Sequence, residues 1–174
     1  MTAQDPAAAE AEARAIETAW RIHAELGNWT AKVDAKASFA LTLDSAATAG
    51  IIALSTDDHV LAHLQGWGAR ALLWSGITLI LVSGVFAMLV VVPRLRARKV
   101  KAEAASNFIY FGHLMHRHAD ELTTALKATD TLPVLSRQLI VMSKIAWNKH
   151  RHVQLSFITF GVGAALVFFA GLIS

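Results

Sequence analysis

An aspartate at position 44 sits in the middle of an apolar stretch, Ala37 to Leu54, and no other residue of this chain stands in so chemically demanding a setting. A carboxylate near a bilayer centre costs about 2.5 to 3.5 kcal/mol on insertion scales, whereas a Leu, Ile or Phe recovers roughly 0.3 to 0.6 kcal/mol. The stretch holds six such apolar residues and is therefore close to neutral before its Ser, Thr and Gly are counted. Two readings of Asp44 stay open: a polar lining of a pore or lesion built from several copies, or a protonated or hydrogen-bonded acid packed against Ser, Thr or backbone of neighbouring spans. His113, His116 and His118, with Arg117 among them, form a second cluster. On a helix His113 and His116 share a face, but His118 lies well round from it and no Cys or nearby Glu completes four ligands. A polar helix face or a cationic surface for a phosphate accounts for the cluster more simply, and no metal is expected. Serine, histidine and aspartate are all present, yet no nucleophile elbow surrounds any serine, so no enzymatic activity is expected. The absence of cysteine removes disulfides, thiolate metal sites and cysteine nucleophiles.

These residues are positioned by a strongly apolar chain. With 174 residues, 55% of them hydrophobic and 17% charged, it is of single-domain size but too apolar for an ordinary soluble domain. The excess lies in blocks. Leu72 to Val92 and Val153 to Ile173 are each 21 residues without a charge, and a helix of that length rises about 31 Å, the thickness of a hydrocarbon core. With the weaker 37–54 block they predict three transmembrane helices. The first 36 residues contain six acids and no apolar run or cleavage site of a secretory signal, so an uncleaved first span is expected.

Lysine and arginine near spans stay on the cytoplasmic side. Arg94, Arg96, Arg98, Lys99 and Lys101 follow the second block and Lys144, Lys149 and Arg151 precede the third, whereas the loop from Ser55 to Arg70 has only Arg70. The predicted order is a cytoplasmic N-terminal segment (1–36), a first span (37–54), a short external loop (55–71), a second span (72–92), a cytoplasmic helical hairpin (93–152) and a third span (153–173). Trp67 and Trp74 then suit the outer interface and Trp147 the inner one. Asp5 and Pro6 read as a cap and first residue of an amphipathic helix that carries Ile16, Ala19, Trp20, His23 and Leu26 at helical spacing. That helix is expected to end near Gly27, with Asn28 capping the next. No strong breaker is read between Pro93 and Ala128, which predicts that the second span continues as a helix. Thr129 to Pro133 supply a turn, with Asp130 or Thr131 a candidate cap for a last helix running into the third span. Gly76, Gly84, Gly161, Gly163 and Ala165 permit close helix contact within or between chains. The fold class is an all-α integral membrane protein.

Trp29, Asp34, Lys36 and Ala37 lead into the first span; Asn107, Phe111 and Gly112 precede an Asp120–Glu121 pair; Gln138, Ser143, Ile145 and Lys149 lead into the last. From Asn28 to the C-terminus this arrangement resembles the Pycsar effector family of small bacterial membrane proteins. The resemblance implies a multi-pass inner-membrane effector of anti-phage defence that damages the membrane of the infected cell when a partner cyclase makes a cyclic pyrimidine mononucleotide, cCMP or cUMP. The chain contains no cyclic-nucleotide-binding β-barrel, so sensing is expected to fall to the hairpin, where Arg117, Arg137, Lys144 or His116 are candidates to meet a phosphate between copies. The expected partners are the lipid bilayer, further copies of the chain and the cyclase, with no nucleic acid. A ligand-independent, holin-like lesion former and a membrane adaptor that docks a partner through its hairpin are the competing functions.

Overall fold

The computed structural model describes residues 6–56, 61, 64, 66–93, 97–104 and 106–173. The Asp5 cap, Arg94, Arg96 and the side chains of Arg98 and Lys99 lie outside the described residues. Among the described residues six helices follow in order: α1 (Pro6–Leu54), α2 (Trp67–Val91), α3 (Ala97–Glu103), α4 (Phe111–Leu114), α5 (Ala119–Ala128) and α6 (Thr131–Leu172). Among the described residues there is no strand. Three helices, α1, α2 and α6, are long and apolar enough to cross a membrane. The chain divides into two units, one of Met1–Thr30 with Arg94–Ala146 and the other of Ala31–Pro93 with Trp147–Ser174.

The second unit packs α1, α2 and α6 along seams with coiled-coil spacing. On α2 the buried residues are Ala69, Leu73, Gly76, Ile80, Ser83, Ala87 and Val90, alternating steps of four and three. Val33, Ala37, Ala40 and Asp44 continue the pattern on α1, and Val153, Ser156, Gly163 and Ala170 fall on it in α6. A period of 3.5 keeps one narrow face turned inward and leaves the rest of each helix free to meet lipid. The outward residues are large and apolar, among them Phe39, Ile52, Leu81, Val85, Met88, Phe168 and Phe169, and Trp67, Trp74 and Trp147 are exposed with them.

Two glycines set the spacing of α2 and α6. A Cβ on Gly76 would lie 2.7 Å from the Gly163 carbonyl oxygen and 3.0 Å from the Val167 nitrogen, and one on Gly163 would lie 2.8 Å from the Gly76 carbonyl oxygen. Each obstacle is backbone and cannot rotate away, so these small residues serve contact within the chain. Gly161 meets nothing within 4 Å. Gly76→Ala should therefore lower thermal stability in detergent by about 1 to 3 kcal/mol, while Gly161→Ala should not be destabilising. Equal melting of the two variants would contradict this packing.

Three sequence expectations are corrected. Helix α1 does not stop near Gly27 but runs unbroken to Leu54. Its buried positions Ala19, Leu26, Val33 and Ala40 recur every seven residues across the glycine, and this continuous seam outweighs the roughly 1 kcal/mol that a mid-helix glycine costs. The connection expected over 55–71 ends at Gly66, whose φ of 86° suits glycine, and Trp67 to Arg70 already form the first turn of α2. The second span does not continue as a helix. Val92 turns extended (φ −65°, ψ 123°), the conformation that a following proline imposes. The segment beyond then divides into α3, α4 and α5 in place of one long arm.

The first unit joins those short helices to the early part of α1 and of α6. Its buried residues include Ala19, Leu26, Val100, Ala104, Phe108, Val134 and Leu135. The bend between α3 and α4 is held by polar closure. Asn107 Nδ2 donates to the Glu103 carbonyl at 3.1 Å, and Arg117 Nε donates to the Ala104 carbonyl at 2.8 Å, so carbonyls at the end of α3 find partners. Gly112 is required there, because a Cβ would meet the Tyr110 ring at 2.5 Å. Asp130 begins α6 as expected, its Oδ1 accepting from the Leu132 amide at 3.0 Å.

Candidate functional site

Within the first unit lies a cavity of about 490 Å³, in the range that holds small molecules. Helix α1 supplies His23, Gly27 and Thr30, the α3–α4 region supplies Glu103, Asn107, Tyr110, Phe111 and His113, and α6 supplies Arg137, Gln138 and Ile145. Gly27, having no side chain, leaves its part of the wall open. Arg137 and Gln138 form no side-chain hydrogen bond or ion pair among the described residues, so a cation and an amide are available to a ligand. The Tyr110 ring stands 4.3 Å from that of Phe111 and edge-on to His113 at 5.4 Å, centroid to centroid. These rings offer apolar faces beside polar groups.

His113 is 7% exposed. Its Nε2 lies 3.8 Å from Glu103 Oε2, and its Nδ1 is buried without a hydrogen-bond partner. Burial pushes the imidazole below its ordinary pKa; Glu103 pulls it up, and Arg117 and His116 press it down. Burial prevails, so the ring is neutral at pH 7. Among the described residues no group of three His, Cys, Asp or Glu could hold a metal ion.

The four residues proposed to meet a phosphate separate. Arg137 lines the cavity. Arg117 is partly buried and spends its Nε on the Ala104 carbonyl, while His116 and Lys144 are exposed and are not among the cavity-lining residues. His23, Glu103 and Tyr110 were not foreseen. In the sequence His23 fits an amphipathic stripe, and Glu103 carries no local signal, since only the bend after α3 brings it to the wall. Several of the residues that carried the family resemblance gather in two places. Asn107, Phe111, Gln138 and Ile145 line the cavity. In the second unit Lys149 Nζ donates to Asp34 Oδ1 at 2.6 Å, tying α6 to α1. Lys36 is exposed on α1.

A second polar constellation is buried in the bundle. Asp44, Ser83 and Ser156 are 7%, 0% and 0% exposed and each occupies a seam position. Ser83 Oγ donates to Asp44 Oδ2 at 3.2 Å and lies 3.0 Å from Ser156 Oγ. With its one proton directed to Asp44, Ser83 accepts from Ser156, so a single chain of hydrogen bonds joins all three apolar helices. Asp44 Oδ1 has no partner. A polar layer among apolar ones fixes register, because any slip leaves its members unpaired in an apolar surround.

An apolar three-helix bundle with a polar layer in one unit, and in the other a cavity lined by α1, the α3–α4 region and α6 with an unengaged cation, define a helical membrane protein with a candidate ligand site. Residues 18–174 match the model of the Pycsar effector protein domain. The chain belongs to that family, of transmembrane effectors rather than catalysts, and is an effector of anti-phage defence within a cyclase-signalling system. No curated protein and no solved structure matches it.

Proposed function

We propose that the protein rests in the inner membrane until a cyclic pyrimidine mononucleotide, cCMP or cUMP, made by a partner cyclase occupies the cavity of the first unit, and that it then disrupts the membrane and ends the infected cell. The observation that carries this reading is the cavity itself, where an unengaged arginine, two side-chain amides and two aromatic rings meet. Arginine suits a phosphate, amides suit a base edge and rings suit a base face. The asymmetry of Lys and Arg supports a cytoplasmic N-terminus and first unit, where a cytoplasmic nucleotide would reach the site. Helices α1 and α6 each contribute to both units, so a ligand that favours one arrangement of their cavity-lining parts can bias the spans they carry. Membrane damage by one small bundle calls for several copies, and Gly161 and Ala165, exposed on α6, leave a small-residue surface for a second chain.

Dye uptake and growth in cells carrying the protein with an active cyclase, a cyclase-dead version or no cyclase provide the test. Permeabilisation is expected with the active cyclase alone. Equal toxicity in all three would instead identify a ligand-independent lesion former. Intact membranes in all three, with expression and nucleotide production verified, would identify an adaptor.

A further inference from the structure

The cavity wall formed by the α3–α4 region is rich in hydrogen-bond acceptors. Glu103, the last residue of α3, directs Oε2 toward His113 and has no partner for Oε1 among the described residues; a carboxylate offers lone pairs only. Asn107 Nδ2 gives its protons to the Glu103 carbonyl at 3.1 Å and to Ser106 Oγ at 3.3 Å, which leaves Oδ1 as the part of the amide still able to bond. His113 faces the Glu103 carboxylate with Nε2, while its Nδ1 is buried out of reach of a ligand, so the acceptors on this wall are those of Glu103 and Asn107. Arg137, from α6, is the unengaged cation.

Cytosine and uracil differ at the edge such a wall would meet. Cytosine presents an exocyclic amino group with two donors at position 4, and a glutamate accepts from that group. Uracil placed in the same way presents O4, whose lone pairs face those of the carboxylate, and its single N3–H satisfies one acceptor at most. From this juxtaposition we infer that the cavity selects the amino-bearing pyrimidine, cytosine, over uracil, and that Glu103 is the specificity-determining residue. The inference rests on the cavity being the nucleotide site. Arg137 holds the cyclic phosphate, which is common to both ligands and contributes no selectivity.

The test uses the full chain in detergent, with cCMP and cUMP as probes in equilibrium competition binding. cCMP should bind at least about tenfold more tightly than cUMP. Glu103→Gln should bring the ratio to within about threefold, because a glutamine can turn its NH2 toward O4, whereas Arg137→Ala should weaken both nucleotides and leave the ratio unchanged. Parity or a cUMP preference in the unmodified protein, or an undiminished ratio in a folded Glu103→Gln variant, would overturn the inference while leaving the nucleotide site standing. Failure of the folded protein to bind either nucleotide would overturn both.

Discussion

Asp44→Leu is expected to suppress nucleotide-triggered membrane leakage on the order of a hundredfold while leaving the nucleotide cavity intact, so that apparent affinity weakens only through the shifted resting equilibrium. In the bundle Asp44 occupies a seam position, bonded through Oδ2 to Ser83 and unpartnered at Oδ1. Leucine removes an incompletely satisfied polar group from that position, a change that is often neutral or stabilising for the packed state. A leaky state that admits water into the bundle would hydrate an aspartate and gain nothing from a leucine. Both differences favour the resting arrangement, and the 2.5 to 3.5 kcal/mol scale of an intramembrane carboxylate sets the size of the shift at about a hundredfold in population. Dye uptake at fixed nucleotide, with binding measured on the same preparation, checks it. Undiminished or increased leakage would remove Asp44 from the switch. Asp44→Asn, which keeps an acceptor for Ser83 but cannot ionise, should fall between the two.

Arg137→Ala should raise the nucleotide concentration needed for the response by about 10- to 100-fold, the worth of one charge-assisted hydrogen bond to an anion. Lys144→Ala should change it by less than about twofold, since that side chain is exposed and is not among the cavity-lining residues. Arg117→Ala should act differently again. Its guanidinium closes the end of α3 against the Ala104 carbonyl, so its loss should lower the melting temperature of the first unit and affect binding only through that. Titrating cCMP against the three variants, with melting curves alongside, separates these roles, and equal effects at Arg137 and Lys144 would contradict the assignment of the cavity.

The apolar blocks announced three helices able to span a membrane, because a bilayer leaves few alternatives: its solvent is uniform, and backbone polar groups inside it must be satisfied within the helix. The Asp130 cap was legible for a similarly local reason, as a side chain bonding an amide two residues away. Asp34, Asn107, Gln138 and Lys149 could be singled out by family resemblance, but their physical roles could not. Whether Lys149 faces Asp34, and whether Asn107, Gln138 and Arg137 share one cavity, depends on how α1, α3 and α6 approach, and residues up to 115 positions apart meet there. The seven-residue seam that carries α1 across Gly27 was present in the sequence but was outweighed by the glycine's local cost, which packing reverses. Local rules erred most between Pro93 and Ala128. No residue there forbids a long helix once Pro93 is passed, and the bend is held by contacts that no helical spacing announces: Arg117 reaches back 13 residues to the end of α3, and Gly112 lies against the Tyr110 ring. Those closures bring Glu103 to the cavity wall, where it meets Gly27 of α1 and Arg137 of α6 only in the assembled fold.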